Sequence, residues 1–203
     1  MISDFAHVDP CAIIGKNVTV QIGAVVYGNV HIRDNCYIGE YSTIGTPAEY
    51  TKADKQDGKV IIGENTTIRE YVSVQSPAKG HDTVIGRDCY IMRGTHIAHD
   101  CRIGNGVSLA PGVTLGGTTT LGDKVNMGLQ ACTHPNINIG DVAMIGLNST
   151  ITKDVEKHRK VVGLNKDIGL NTRGLELHHT CEFIIKEVEP SFFAEVCECG
   201  QVK

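Results

Sequence analysis

From Val8 onward an aliphatic residue returns every six positions, at Val8, Ile14, Val20, Val26, Ile32, Ile38 and Ile44. An α-helix repeats at 3.6 residues and a half-buried strand at 2, so a sustained period of six marks a repeat architecture. A second run, Ile62, Ile68 and Val74, keeps the phase, since 62 minus 44 is 18, or three sixes. A third runs from Ile85 through Ile91, Ile97, Ile103, Leu109, Leu115, Leu121 and Met127, breaks at Thr133, and resumes at Ile139, Ile145 and Ile151. Glycine follows the aliphatic residue in many hexads, as at Gly15, Gly63, Gly86, Gly104, Gly116, Gly122 and Gly140. The pattern predicts one short strand per hexad, its aliphatic side chain inward, with a turn at each corner where glycine admits unusual dihedrals. Three hexads close a triangular coil, so residues 18 apart stack about 4.7 to 4.9 Å apart, as in any sheet.

The repeat assigns residues 1–155 to an all-β parallel β-helix with loops at 46–60 and 75–84, and residues 156–203 to a partly helical C-terminal extension. Between Gly45 and Val60 the aliphatic period gives way to a charged stretch containing Glu49, Lys52, Asp54, Lys55 and Asp57, which predicts a projecting loop. Val74 and Ile85 are 11 apart rather than 12, so Gln75 to Thr83 is expected to bulge. The stretch from Asp154 to Lys160 reads as a solvated exit from the coil. Phe183, Ile184, Ile185, Val188, Phe192, Phe193 and Val196 fit short amphipathic helices split at Pro190, suited to capping the last coil or packing on a partner.

Composition narrows the function classes. A net charge of −4 and no long run of Lys or Arg argue against nucleic acid as a partner. No apolar run approaches the ~18 residues of a membrane span, and the N-terminus has no signal-peptide pattern, so a cytoplasmic protein without a transmembrane segment is expected. Cys11, Cys36, Cys89, Cys101 and Cys132 are scattered without paired spacing, which predicts reduced thiols filling small spaces. Cys197 and Cys199 form a lone C-x-C in the tail.

Chemistry concentrates in Thr95-His96-Ile97-Ala98-His99-Asp100-Cys101. Stacking at 18 puts Gly117 one coil beyond His99 on the same edge, and His134 two coils beyond Ala98. Three histidines, a carboxylate and a position without a side chain are thus expected at one corner. A neutral imidazole there suits proton abstraction from an attacking hydroxyl or amine, with Asp100 in support. The Gly117 N–H suits stabilisation of a tetrahedral oxyanion. Three histidines also suit zinc at a subunit boundary, an alternative reading, although no metal or other cofactor is assigned. A non-catalytic scaffold gives no reason for the histidines to share an edge.

The run from about Val8 to Leu175 resembles the UDP-N-acetylglucosamine acyltransferases of lipid A synthesis. The likeness is carried by H-x-A-H-D at His96-Ile97-Ala98-His99-Asp100 and N-x-x-I-R-E at Asn65-Thr66-Thr67-Ile68-Arg69-Glu70. It implies a left-handed helix, an exception to the right-handed crossover rule, and a homotrimer with sites between neighbouring prisms. It also implies an acyl carrier protein thioester as donor and a UDP-linked amino sugar as acceptor. His99 would be the general base, Asp100 its support and Gly117 the oxyanion donor, with His96, His134 and Lys52 contacting substrate and Asn171 close to the donor-side groove. Departures include Glu49-Tyr50 ahead of the loop lysine, Gln75 and Thr118 where histidines are expected, and Leu147 where a small residue often floors the acyl channel. The last of these implies a shorter acyl group, and an acetyl-CoA-dependent sugar N-acetyltransferase is the enzymatic alternative.

Overall fold

A computed structural model of the chain describes residues 1–52 and 58–178. The chain winds as a left-handed parallel β-helix with three faces. An eight-stranded face runs from His7–Val8 to Thr150–Ile151, and a seven-stranded face from Ile13–Ile14 to Asn138–Ile139. The nine-stranded face begins at Thr19–Val20 and ends with Arg159–Val162 and Lys166–Leu170. On the eight-stranded face Ile44, Val74, Ile97 and Leu115 stack in register and are fully buried. Each such side chain stabilises the prism by roughly 1.5 to 3 kcal/mol. A second buried row, two residues earlier in each hexad, holds smaller side chains, among them Val72, Cys36, Cys89, Cys101, Val113 and Ala131. The cysteines of this row are free thiols, and Cys36 and Cys89 donate to the carbonyls of Gly63 and Gly104 at 3.0 and 3.1 Å.

Three expectations change. First, Ile44 and Ile62 do not share a face: Ile44 pairs with Val74 on the eight-stranded face, while Ile62 pairs with Ile32 on the seven-stranded one. The step from Ile44 to Ile62 is therefore one hexad carrying an insertion of twelve residues (18 − 6), and its retained phase is a coincidence of loop length. Likewise Val74 to Ile85 is one hexad with five extra residues (11 − 6), not two hexads short of one. Both insertions leave from the corner between the eight- and seven-stranded faces, in consecutive coils.

Second, apart from Gly45 (φ 90°), the glycines directly after the aliphatic residues do not serve the turn dihedral. A methyl on Gly63 or Gly86 would stand 2.5 Å from backbone atoms of the next coil, so close approach of the coils requires them. The left-handed dihedral falls two residues later, at Asn35, Asn65, Asp88, Asp100, Thr118 and Asn136 among others. There an N–H reaches back to a carbonyl of the preceding coil, as from Asn65 to Asp34 at 3.0 Å and from Thr118 to His99 at 2.9 Å. Glycine fills this position at Gly94, Gly106 and Gly112, Asn and Asp tolerate it best among residues with a side chain, and the bond between coils holds the others in it.

Third, the stretch after Asp154 is not all exit. Arg159–Val162 adds in parallel to Met144–Ile145, with Val161 buried, before the chain turns back as Lys166–Leu170 and enters the helix Thr172–His178. The predicted helices around Phe183 to Val196, and Cys197 and Cys199, lie outside the described residues.

Candidate active site

His99 and Asp100 occupy the corner from which both insertions depart, one coil after the second. In a regular coil the Asp100 N–H would bond a carbonyl of the preceding corner, but that corner has been replaced by the loop 76–82. Its N–H instead reaches the buried Thr83 Oγ1 at 2.9 Å. The loop then turns its own backbone toward the carboxylate. Ala78 N–H donates to Asp100 Oδ2 at 3.1 Å, and Lys79 and His81 N–H to Oδ1 at 3.2 and 3.4 Å. His99 Nδ1 completes the shell at 2.7 Å from Oδ2.

Burial opposes ionisation of Asp100, yet the bonds from His99, Ala78, Lys79 and His81 together hold its pKa below the usual aspartate value. An ionised carboxylate only accepts, so His99 Nδ1 carries a proton, which in the neutral ring leaves the lone pair on Nε2. Nε2 faces Gly117: a methyl there would stand 2.5 Å from both Nε2 and Cε1 of the ring. Among the described residues no acceptor is in position for the Gly117 N–H, although the Gly117 carbonyl is taken by Asn136 N–H at 2.9 Å. A proton acceptor and an uncommitted backbone donor thus meet on one edge.

His96 lies on the outward side of the eight-stranded face, its Nδ1 2.7 Å from Ser73 Oγ. Burial holds its pKa below the usual histidine value, and the Glu49 carboxylate works in the opposite direction. His96 is therefore neutral near pH 7. His134 lies on the same edge two coils on, exposed, its Nδ1 donating to the Pro135 carbonyl at 3.2 Å. Among the described residues no three His, Cys, Asp or Glu side chains group closely enough to hold a metal ion, so the expected convergence of three histidines is not a ligand set within one chain.

Gln75 is 3% exposed and its Oε1 accepts the His99 N–H at 3.3 Å, so it braces His99 from beneath. Cys101 belongs to the core: it is fully buried, and burial pushes its pKa up to about 12. Two residues not singled out as site groups lie beside His99. The Tyr50 ring lies 5.0 Å from the His99 ring, and Lys79 Nζ is 5.3 Å above Tyr50 and 3.4 Å from Thr118 Oγ1. Nothing in their types announced this; the signal was the spacing arithmetic, which puts both insertions at the corner of His99. Lys52 is exposed two residues past Tyr50.

Two expected residues lie elsewhere. Leu147, 64% exposed, is at the corner between the nine- and eight-stranded faces, in a groove with Tyr71, Arg93, Pro111 and Leu129. Asn171 is at the third corner, where it caps the helix Thr172–His178: Oδ1 accepts Gly174 N–H at 3.3 Å and Nδ2 donates to the Val142 carbonyl at 2.7 Å. Both ends of its amide are engaged, so in this chain it anchors the helix rather than lining a groove. Among the described residues no helix is long and apolar enough to cross a membrane.

The family model described as bacterial transferase hexapeptide (six repeats) matches residues 1–46 and 82–117. Over 157 residues the chain is 38% identical to a Campylobacter concisus (strain 13826) protein named as an acyl-carrier-protein–UDP-N-acetylglucosamine O-acyltransferase, covering 76% of this chain. The match spans 60% of that relative, less than two thirds of its length. The solved UDP-N-acetylglucosamine acyltransferase from Campylobacter jejuni superposes with a TM-score of 0.79 at 26% identity, covering 92% of this chain and 81% of that one. Another solved UDP-N-acetylglucosamine acyltransferase is 30% identical with a TM-score of 0.70, covering 91% of this chain and 79% of its own.

Proposed function

The chain belongs to the UDP-N-acetylglucosamine acyltransferase family, and from that premise we propose that it transfers an acyl group from an acyl carrier protein thioester to the 3-hydroxyl of a UDP-linked amino sugar. The observation that carries the reading is the orientation of His99: Nδ1 is tied to ionised Asp100, and Nε2 faces Gly117. Nε2 takes the proton of the sugar hydroxyl as its oxygen attacks the thioester carbonyl. The carbonyl oxygen becomes an anion within reach of the Gly117 N–H. Collapse breaks the carbon–sulfur bond, and the imidazolium returns the proton to the departing thiolate. The relatives are named for O-acylation, which favours a hydroxyl over an amine as the acceptor.

His96, neutral and outward-facing, and His134 on the same edge are suited to orient the sugar. Lys52 and Lys79 supply positive charge for the diphosphate, and Glu49 beside His96 contributes to sugar recognition. Leu147 cannot reach His99 within one chain because a whole face separates their corners. A homotrimer that sets the His99 corner of one copy against the Leu147 corner of the next brings them to one groove, with Leu147 limiting acyl length. The enzyme works in the cytosol, where carrier-protein thioesters and nucleotide sugars are available.

The test is a mass-spectrometric turnover assay of UDP-N-acetylglucosamine and its 3-amino analogue against acyl carrier protein thioesters of graded length and acetyl-CoA. O-acylated product from a carrier-protein thioester is expected, and His99→Ala lowers kcat by about 10² to 10⁴ fold while leaving the fold intact. Product only from acetyl-CoA would transfer the protein to the small-acyl class.

A further inference from the structure

Thr133 is the one break in the buried aliphatic row of the hexads, and it lies in register with Leu115, the residue before Gly116 and Gly117. It is 7% exposed, so its hydroxyl needs partners inside the prism. Thr133 Oγ1 is 3.1 Å from the Gly116 N–H and 3.0 Å from Thr119 Oγ1, and Thr119 Oγ1 is 2.7 Å from the Gly116 carbonyl. Proton counting orders this ring. Thr119 has one hydroxyl proton, and the carbonyl can only accept it. Thr133 therefore donates to Thr119, while its lone pair accepts the Gly116 N–H. Both backbone groups of Gly116 are clamped by a closed ring of three bonds.

Neighbouring positions show that this is a local device. One coil earlier Ala98 N–H goes to the backbone carbonyl of Leu115 at 3.2 Å, and beside Thr133 the His134 N–H goes to that of Ile151 at 2.8 Å. Buried hydroxyls accept N–H groups elsewhere, as Ser42 and Thr66 do from Val72 and Cys89, but among the neighbouring positions that directly follow the inward aliphatic residue only Gly116 hands its N–H to a core side chain. Thr119 alone is not unusual, since Ser42 and Thr66 in the same row also donate to carbonyls, those of Arg69 and Gly86. The consequence lies in the next atom along. The Gly116 carbonyl belongs to the same planar peptide as the Gly117 N–H, and in a trans peptide the two point in opposite directions. The Thr119 hydroxyl and the Cys101 thiol, 3.3 Å away, draw the carbonyl into the core. The N–H is thereby aimed outward toward His99, and a carbonyl already accepting hydrogen bonds makes its amide a stronger donor.

We infer that Thr133, acting through Thr119, is a positioning residue that aims and strengthens the Gly117 N–H for the developing oxyanion; the inference rests on the acyl-transfer reading. The experiment compares wild type, Thr133→Val and Thr133→Ser in steady-state kinetics with the carrier-protein thioester and UDP-sugar, alongside thermal unfolding. Valine restores the aliphatic hexad, so Tm should hold or rise. Its kcat should fall by about tenfold, less than the 10² to 10³ lost when an oxyanion donor is removed outright, with KM for both substrates little changed. Serine keeps the hydroxyl and should retain kcat within about twofold of wild type. Full kcat in Thr133→Val, or equal losses in the valine and serine variants, would overturn the inference while leaving the acyl-transfer reading standing. Wild-type protein inactive on every pair would overturn both.

Discussion

Four hydrogen bonds converge on the Asp100 carboxylate, three of them from the backbone of a loop that the sequence marks only by an irregular spacing. Their physical effect is to keep Asp100 ionised although it is 3% exposed. Its folded-state pKa lies below the ordinary value of 3.8, so the ionised form contributes stability that is fully present above that value. The contribution is lost as pH falls from there through the folded-state pKa, because the unfolded chain binds the proton first. Urea unfolding between pH 5 and 3 should therefore show a steeper acid loss in wild type than in Asp100→Asn. The same variant cannot hold the Nδ1–H tautomer of His99 and should lose about 10² fold or more in kcat at pH 7.5. A variant with wild-type kcat would remove Asp100 from the mechanism. His99, Asp100 and Gly117 were legible as residues, because H-x-A-H-D is a motif and the hexad rule places Gly117 one coil on. Gln75 was legible as a site position through the resemblance, but as a substrate contact and not as the buried acceptor of the His99 N–H. The Tyr50 ring and the loop amides were not legible as neighbours of His99 and Asp100, since a backbone donor has no residue-type signature.

The two insertions decide the site at the scale of elements. Twelve and five extra residues leave one corner in successive coils, and the next coil at that corner carries His99. Within one chain, edge-stacked strands of a prism need such insertions to enclose a substrate, since their faces are nearly flat and their inward side is filled. The longer insertion brings Glu49 and Tyr50 to the site, with Lys52 just beyond. Replacing residues 47–58 with a short turn should therefore leave the prism folded, with cooperative unfolding and an unchanged circular dichroism spectrum. It should lower kcat/KM by about tenfold or more through lost substrate positioning; unchanged kcat/KM would show that the insertion plays no part in the site. The hexad period located both insertions but misjudged how many hexads they span. A loop of twelve residues equals two hexads, so the phase on either side looks continuous, and only strand pairing reveals which face follows.

For the whole molecule the separation of corners matters most. His99 and Leu147 stand at opposite edges of the eight-stranded face, and in the proposed homotrimer each corner supplies one wall of a shared groove. Sedimentation equilibrium should therefore give a mass near three times the 21.9 kDa of the chain, and Leu147→Ala should extend the preferred acyl length by one or two methylenes, each worth about 0.8 kcal/mol of buried surface. A monomer with full activity would sink the shared groove. The sequence by itself determined the prism and its inward aliphatic row and singled out His99 as the candidate base, because these depend on a local period and a local motif. Only the tertiary structure decided that the glycines serve close approach of the coils and that Asn171 is a helix cap. It alone joined Thr133 to the Gly117 peptide and brought both insertions over one histidine. Those facts depend on which coil lies against which, and with insertions of unequal length that pairing is set by the closing of the sheets, not by any residue count along the chain.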